Sequence, residues 1–185
     1  MTEFLLTLSN ALLLPVVGLL LLLLVLASLH LGGFAREIWE RARRRPAFRE
    51  LVAALRAEPE RTLVRADLPV PFGLAELALR EPAPHEDKLL DDLQLRSERA
   101  LARLLLIVRL GPVLGLAGTL IPLGPGLVAL SSGDLATLSD KLVVAFTTTV
   151  LGLVASGGCF AMHTLRRQWY MQDLSDLEFL LGRLR

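Results

Sequence analysis

The sequence predicts an all-α integral membrane protein with three transmembrane helices and long charged helical extensions. Three observations carry that prediction: the composition, the placement of the charges and the spacing of small residues. Of the 185 residues, 53% are hydrophobic and 21% charged, an apolar excess over the usual soluble domain. Asp, Glu, Lys and Arg are missing from three blocks. About 32 residues separate Glu3 from Arg36 without a charge, about 24 run from Leu110 to Gly133, and about 24 from Leu142 to Leu165. A helix needs roughly 20 apolar residues to cross a bilayer, so each block suffices for one span.

The first block opens Met1-Thr-Glu-Phe with no base before the apolar run, and the run is far longer than the apolar part of a secretory signal. It therefore reads as a span, residues 1–35 including a short outer N-terminus. Arg36, Arg41, Arg43, Arg44 and Arg45 follow it, Arg103 and Arg109 precede the second block, and Arg166 and Arg167 follow the third. Of the 20 basic residues only Lys141 falls on the other side. The positive-inside rule then predicts an outer N-terminus and a cytoplasmic C-terminus. Residues 36–103 form a cytoplasmic helical insertion, 104–130 the second span, 131–141 a short outer loop, 142–165 the third span and 166–185 a cytoplasmic C-terminal helix.

Within the insertion, Trp39, Phe48, Leu51, Val52 and Leu55 recur at roughly helical spacing as far as about Ala57, continuing the first span as an amphipathic helix. Pro59, Pro69, Pro71, Pro82 and Pro84 interrupt the next stretch, leaving room for one short helix over Phe72–Arg80. From His85, the residues Leu89, Leu90, Leu93, Leu95, Leu101 and Leu104 predict a long helix that feeds directly into the second span. Trp169, Tyr170, Leu174, Leu177, Leu180 and Leu181 continue the third span in the same way.

The spans differ in kind. The first is rich in leucine, with Leu19 to Leu24 unbroken, and suits lipid. In the second, Gly111, Gly115, Gly118, Thr119, Pro122 and Gly126 follow one another at three- and four-residue steps, and in the third Ala145, Thr149, Gly152 and Ser156 do the same. Small residues at these steps let helix backbones approach closely in lipid, so these two spans face protein. Pro122 and Pro125 remove helix hydrogen bonds and predict a kink or an early helix end near residue 122. A membrane threonine most often bonds a carbonyl of its own helix; Thr119 and Thr149 stand out because each lies on a small-residue stripe.

Several chemistries are excluded. Cys159 is the sole cysteine, and His30, His85 and His163 lack ligand spacing, so no metal site, cofactor or intramolecular disulfide is expected. A net charge of +1 argues against a nucleic-acid binder. The acidic run Glu86, Asp87, Asp91 and Asp92 has no nucleophile or base beside it and reads as a solvated face, so an enzyme is not expected. No Asp, Glu, Lys or Arg lies within the core of any span. A protein that moves protons through its own side chains normally has one there, so any proton carrier must come from another chain.

The run from Gly111 to Thr119 (GPVLGLAGT), the outer Gly133-Asp134 and the run from Ala145 to Leu153 (AFTTTVLGL) together resemble the paired-span signature of the MotA/TolQ/ExbB proton channel family. The resemblance implies a ring, usually a pentamer, in the cell inner membrane around a single-span partner of MotB/TolR/ExbD type. The partner's membrane aspartate takes up protons, or sodium in their place, and the ion-motive force drives mechanical work or envelope transport. By position Thr119 and Thr149 match the family's pore-lining threonines, with Thr148 beside them, while Gly115, Gly118 and Gly152 would admit the partner helices. Two positions depart from the pattern: Val144 stands where TolQ and ExbB carry a glutamate, and Pro122 where the family usually has glycine. They place the chain in an atypical branch and open an alternative, a non-conducting membrane scaffold that holds a partner helix.

Overall fold

The computed structural model describes residues 2–57 and 86–182, with side chains from residue 11 in the first stretch and residue 88 in the second. The short helix expected over Phe72–Arg80 lies outside the described residues. The described chain is three helices: α1, Thr2–Ala57; α2, Glu86–Ser131; and α3, Leu135–Leu181. They contain 56, 46 and 47 residues. At about 1.5 Å per residue the shorter two are each roughly 70 Å long, more than twice the ~30 Å of a hydrocarbon core. Each therefore continues beyond any membrane it crosses.

All three helices are long and apolar enough to span a bilayer. Their most apolar stretches differ in burial, with 11% buried in α1 against 28% in α2 and 33% in α3. The leucine-rich first helix thus shows most of its surface, and Leu14, Leu22, Val25 and Leu29 are all more than half exposed.

The helix end expected near Pro122 does not occur. Pro112, Pro122 and Pro125 all lie inside α2, which stays helical to Ser131. A proline removes one hydrogen bond and leaves the rest of the ladder in place, and packing on both sides of Pro122 holds the helix together. The connection to α3 is also shorter than the eleven-residue loop expected from the charge pattern, since only residues 132–134 separate the helices. Here the Asp134 N–H donates to the Ala129 carbonyl at 2.9 Å and the Gly133 N–H to the Leu130 carbonyl at 3.1 Å, the paired bonds of a Schellman ending. Gly133 takes the left-handed conformation, with φ +78°. Asp134 then caps α3: its carboxylate accepts from the Thr137 N–H at 3.0 Å and the Thr137 hydroxyl at 2.6 Å. These bonds hold its pKa below the ordinary carboxylate value. Gly133→Ala is expected to destabilise the chain by about 1–2 kcal/mol, the usual cost of a Cβ in this conformation. Gly157→Ala, where nothing lies within 4 Å of the new Cβ, should not; unfolding of both variants in a detergent titration by circular dichroism measures the difference.

The described residues belong to two compact units, one of Met1–Leu31 and Arg103–Met162 and the other of Gly32–Ala102 and His163–Arg185. In the first, Leu104, Ile107, Ala155, Cys159 and Met162 are buried. In the second, Phe48, Val52, Leu55, Leu93, Leu177 and Leu180 form a buried cluster flanked by Leu89, Leu90 and Leu174. These are the residues of the amphipathic pattern, with two exceptions. Trp39 is 64% exposed and Leu95 46%, because the buried positions step through 34, 41 and 48 in α1 and through 93, 97 and 104 in α2, and neither residue falls on those faces.

Candidate functional site in the paired helices

The small-residue stripes of α2 and α3 face each other. A Cβ built on Gly152 would lie 2.5 Å from the Gly111 carbonyl oxygen and 3.2 Å from the Gly115 Cα; one on Gly111 would lie 2.7 Å from the Gly152 carbonyl oxygen and 3.0 Å from the Ser156 Cβ. On Gly118 it would meet the Thr148 Oγ1 at 2.5 Å, and on Gly126 the Leu138 side chain at 3.3 Å. Ala145 and Ser156 are buried along the same seam. The glycines expected to admit partner helices are thus covered by the facing helix of their own chain, and Gly115, Gly118 and Gly152 are all buried there.

The threonines separate into two kinds. The Thr119 hydroxyl donates to the Leu116 carbonyl at 2.7 Å and Thr147 to Val143 at 2.7 Å, each within its own helix. Thr148 is 5% exposed and donates to Ala145 at 2.9 Å, while its side chain fills the space above Gly118. Thr149 crosses the seam: its hydroxyl reaches the Gly115 carbonyl of α2 at 3.2 Å and the Ala145 carbonyl of its own helix at 3.4 Å.

Pro122 adds a second polar feature beside these hydroxyls. It is almost wholly buried and has no N–H, so the Gly118 carbonyl one turn earlier lacks its helical donor; Pro125 does the same to Ile121. At membrane depth such carbonyls require protein or water to satisfy them. Around Gly115 and Gly118 the seam therefore combines hydroxyls and carbonyls, with Lys141 packing its stem at the Gly126 end, a surface able to orient a hydrated or protonated group brought by another molecule. Among the described residues no group of three or more His, Cys, Asp or Glu is placed to hold a metal.

A family model of the MotA/TolQ/ExbB proton channel family matches residues 77–178, more than half of the chain and all of the α2–α3 pair but its last three residues. The chain belongs to the MotA/TolQ/ExbB proton channel family. It is accordingly a multi-pass membrane protein of proton-channel type that works with a partner in the membrane. Searches of curated proteins and of solved structures found no match. The family match begins after α1, so the leucine-rich first span lies outside it.

A second polar cluster, unforeseen in the sequence, lies in the unit of charged extensions. Asp173 of α3 accepts two hydrogen bonds from Arg41 of α1, at 3.0 and 2.6 Å, and both residues are buried. Glu37 takes two more from the same guanidinium at 3.2 Å and one from Arg166 at 2.8 Å. The Arg41 guanidinium lies 4.9 Å from the Trp169 ring centroid, and Trp169 stacks on Phe34 at 5.5 Å. Burial works against the Arg41 charge, but the Asp173 hydrogen bonds and charge, helped by Glu37, overcome it and hold its pKa above the ordinary value. The available signal was Glu37-x-x-x-Arg41 with Trp169-x-x-x-Asp173, two four-residue spacings on helices otherwise read only for their apolar faces.

Proposed function

We propose that this chain is the ion-conducting subunit of an energy-transducing complex in the cell inner membrane, not an enzyme, with its N-terminus outside and its C-terminus and charged extensions cytoplasmic. Copies form a homo-oligomeric ring, a pentamer by analogy with the family, around a single-span partner of MotB/TolR/ExbD type. The partner's membrane aspartate carries the proton, or sodium in its place. One charge crossing the membrane releases about 2.3 kcal/mol per 100 mV, and the complex uses it for mechanical work or envelope transport. The observation that carries this reading is the polar middle of the seam: the Thr149 hydroxyl on the Gly115 carbonyl, near a Gly118 carbonyl freed by Pro122. Such a seam hydrates and orients a carboxyl group without competing with it for the proton. Thr119 extends the same lining, while Thr148 is closed off over Gly118 and supports it from behind.

Thr149→Val tests it. Valine keeps the shape, and an interhelical hydrogen bond in a membrane contributes only about 0.6 kcal/mol, so the oligomer is expected to survive. Ion flux in liposomes containing the partner should fall at least about tenfold, a barrier increase of ~1.4 kcal/mol, and Thr149→Ser should restore it. Full flux in the valine variant would remove the seam from the pathway.

A second reading is a ring that holds its partner without conducting. Val144 in place of the family glutamate and the self-satisfied Thr119 hydroxyl favour it. Liposomes with and without a co-purified partner separate the two readings, since the scaffold gives no flux in either case.

A further inference from the structure

The two tryptophans stand at matched positions. Trp39 lies three residues beyond Arg36, the first charge after the apolar block of α1, and Trp169 three residues beyond Arg166, the first after that of α3. Three residues of helix are about 5 Å, and the headgroup region of one leaflet is roughly 5–8 Å thick. Leu29 and Leu31 are both more than half exposed and need hydrocarbon around them, so its edge falls close to Arg36. Helical side chains also lean toward the N-terminus of their helix, which for both rings is the membrane side. Both rings therefore sit at headgroup depth, where tryptophan concentrates.

Their surroundings are opposite. Trp169 is covered by protein: it stacks on Phe34 at 5.5 Å and has the Arg41 guanidinium 4.9 Å from its centroid. Trp39 is mostly exposed. At about 100° per residue it points away from Phe34, Arg41 and Phe48, the buried positions of α1. Its neighbours on the helix surface, three and four residues away, are Ala35, Arg36, Ala42 and Arg43, so no bulky apolar side chain of α1 shields it.

What lies over the exposed ring is the Arg43 guanidinium, 5.7 Å from its centroid. Arg43 forms no ion pair among the described residues, and Glu40, the acid beside Trp39 in the sequence, is paired to Arg36 at 3.0 Å. The ring and the cation over it thus form one outward surface whose indole N–H and guanidinium donors call for acceptors. The ester and phosphate oxygens of a lipid headgroup layer supply them at that depth.

We propose that Trp39 and Arg43 form an interfacial anchor for α1. The indole ring lies among the glycerol and ester groups of the lipids, and the guanidinium held over it lies on the phosphate side. The pair fixes the depth of α1 where the helix leaves the membrane. The anchor is separate from the α2–α3 seam, and it is read without any ion flux.

Tryptophan fluorescence of the full chain in liposomes tests the assignment. The quenchers are phosphatidylcholine brominated near the ester end of its acyl chains, the same lipid brominated near the chain tips, and acrylamide in the water. Trp169→Phe leaves Trp39 as the sole tryptophan; it should lose most of its emission to bromine near the ester end, less to bromine at the tips and least to acrylamide. Trp39→Phe leaves Trp169, which should keep most of its emission with all three. The difference between the unaltered chain and Trp39→Phe reports Trp39 a second time, with the ring that packs on Phe34 in place. Arg43→Gln should let the exposed ring move inward, shifting the strongest quenching toward the chain tips, and Arg43→Lys should hold it where it was. Acrylamide as the strongest quencher of Trp39 would put the ring in water, bromine at the tips would put it in hydrocarbon, and a ring shielded from all three would be covered by a second copy of the chain. Each of these overturns the proposal, as does unchanged depth in Arg43→Gln or a Trp169 quenched as strongly as Trp39.

Discussion

Asp173→Asn is expected to lower stability by about 3–5 kcal/mol, the usual result of removing one partner from a buried ion pair. The reason lies in the geometry. Both Arg41 and Asp173 are buried, at 4% and 8% exposure, and the carboxylate accepts from two guanidinium nitrogens at once. An asparagine offers one acceptor and turns a donor toward a positive charge. Glu37, the other carboxylate paired with that guanidinium, is shared with Arg166, so it cannot take over. The loss is not a measure of what the pair contributes. Replacing both residues together, Arg41→Met with Asp173→Leu, should recover most of the stability, because the desolvation cost of the two charges disappears with them. Glu37 keeps Arg166 in that double variant. Unfolding midpoints in detergent across the four combinations give the coupling directly; a single variant no less stable than the double one would show that the pair is not the fastening between the α1 and α3 extensions.

Gly152→Leu is expected to have the larger effect on the membrane-spanning pair, and even Gly152→Ala should cost about 1–3 kcal/mol. The atoms that a Cβ would strike are the Gly111 carbonyl oxygen at 2.5 Å, the Gly115 Cα at 3.2 Å and the Gly111 carbonyl carbon at 3.3 Å. All belong to backbone, so no side-chain rotation relieves the clash and the helices must separate. Separation breaks the Thr149 to Gly115 hydrogen bond as well. Gly158→Ala provides the contrast: it is one and a half turns further along the same helix, with nothing within 4 Å of its added Cβ. Cysteine cross-linking between α2 and α3, with unfolding midpoints, distinguishes the two variants. If both behave alike, close backbone approach is not what holds the pair.

The elements of the fold were legible in the sequence because membrane and charge leave coarse, long signals. The charge-free blocks located all three spans, and leucines at helical spacing located the buried cluster from Phe48 to Leu180. The small-residue stripes predicted close helix approach but not which helix would fill it. Spacing reports that Gly111, Gly115 and Gly118 share a face; only the hairpin geometry brings Gly152 and Thr148 against that face. The connection between α2 and α3 is shorter than expected because Asp134, Asp140 and Lys141 mark where charge resumes, and a helix can resume earlier wherever a cap is available, as Asp134 provides. The Arg41–Asp173 bond was hidden for a different reason. Its partners are 132 residues apart, and a charged residue on an amphipathic helix reads as solvated until the opposing helix is in place.

The carbonyl that Pro122 deprives of its donor has a consequence for selectivity. Its partial negative charge is fixed in the backbone and takes up no proton, so it does not change between the two sides of a membrane held at different pH. On the proposed pathway it would attract a positive ion and repel an anion whatever the pH on either side. On the proposed reading, any dependence of conduction on pH at this point has to come from a group that titrates beside it.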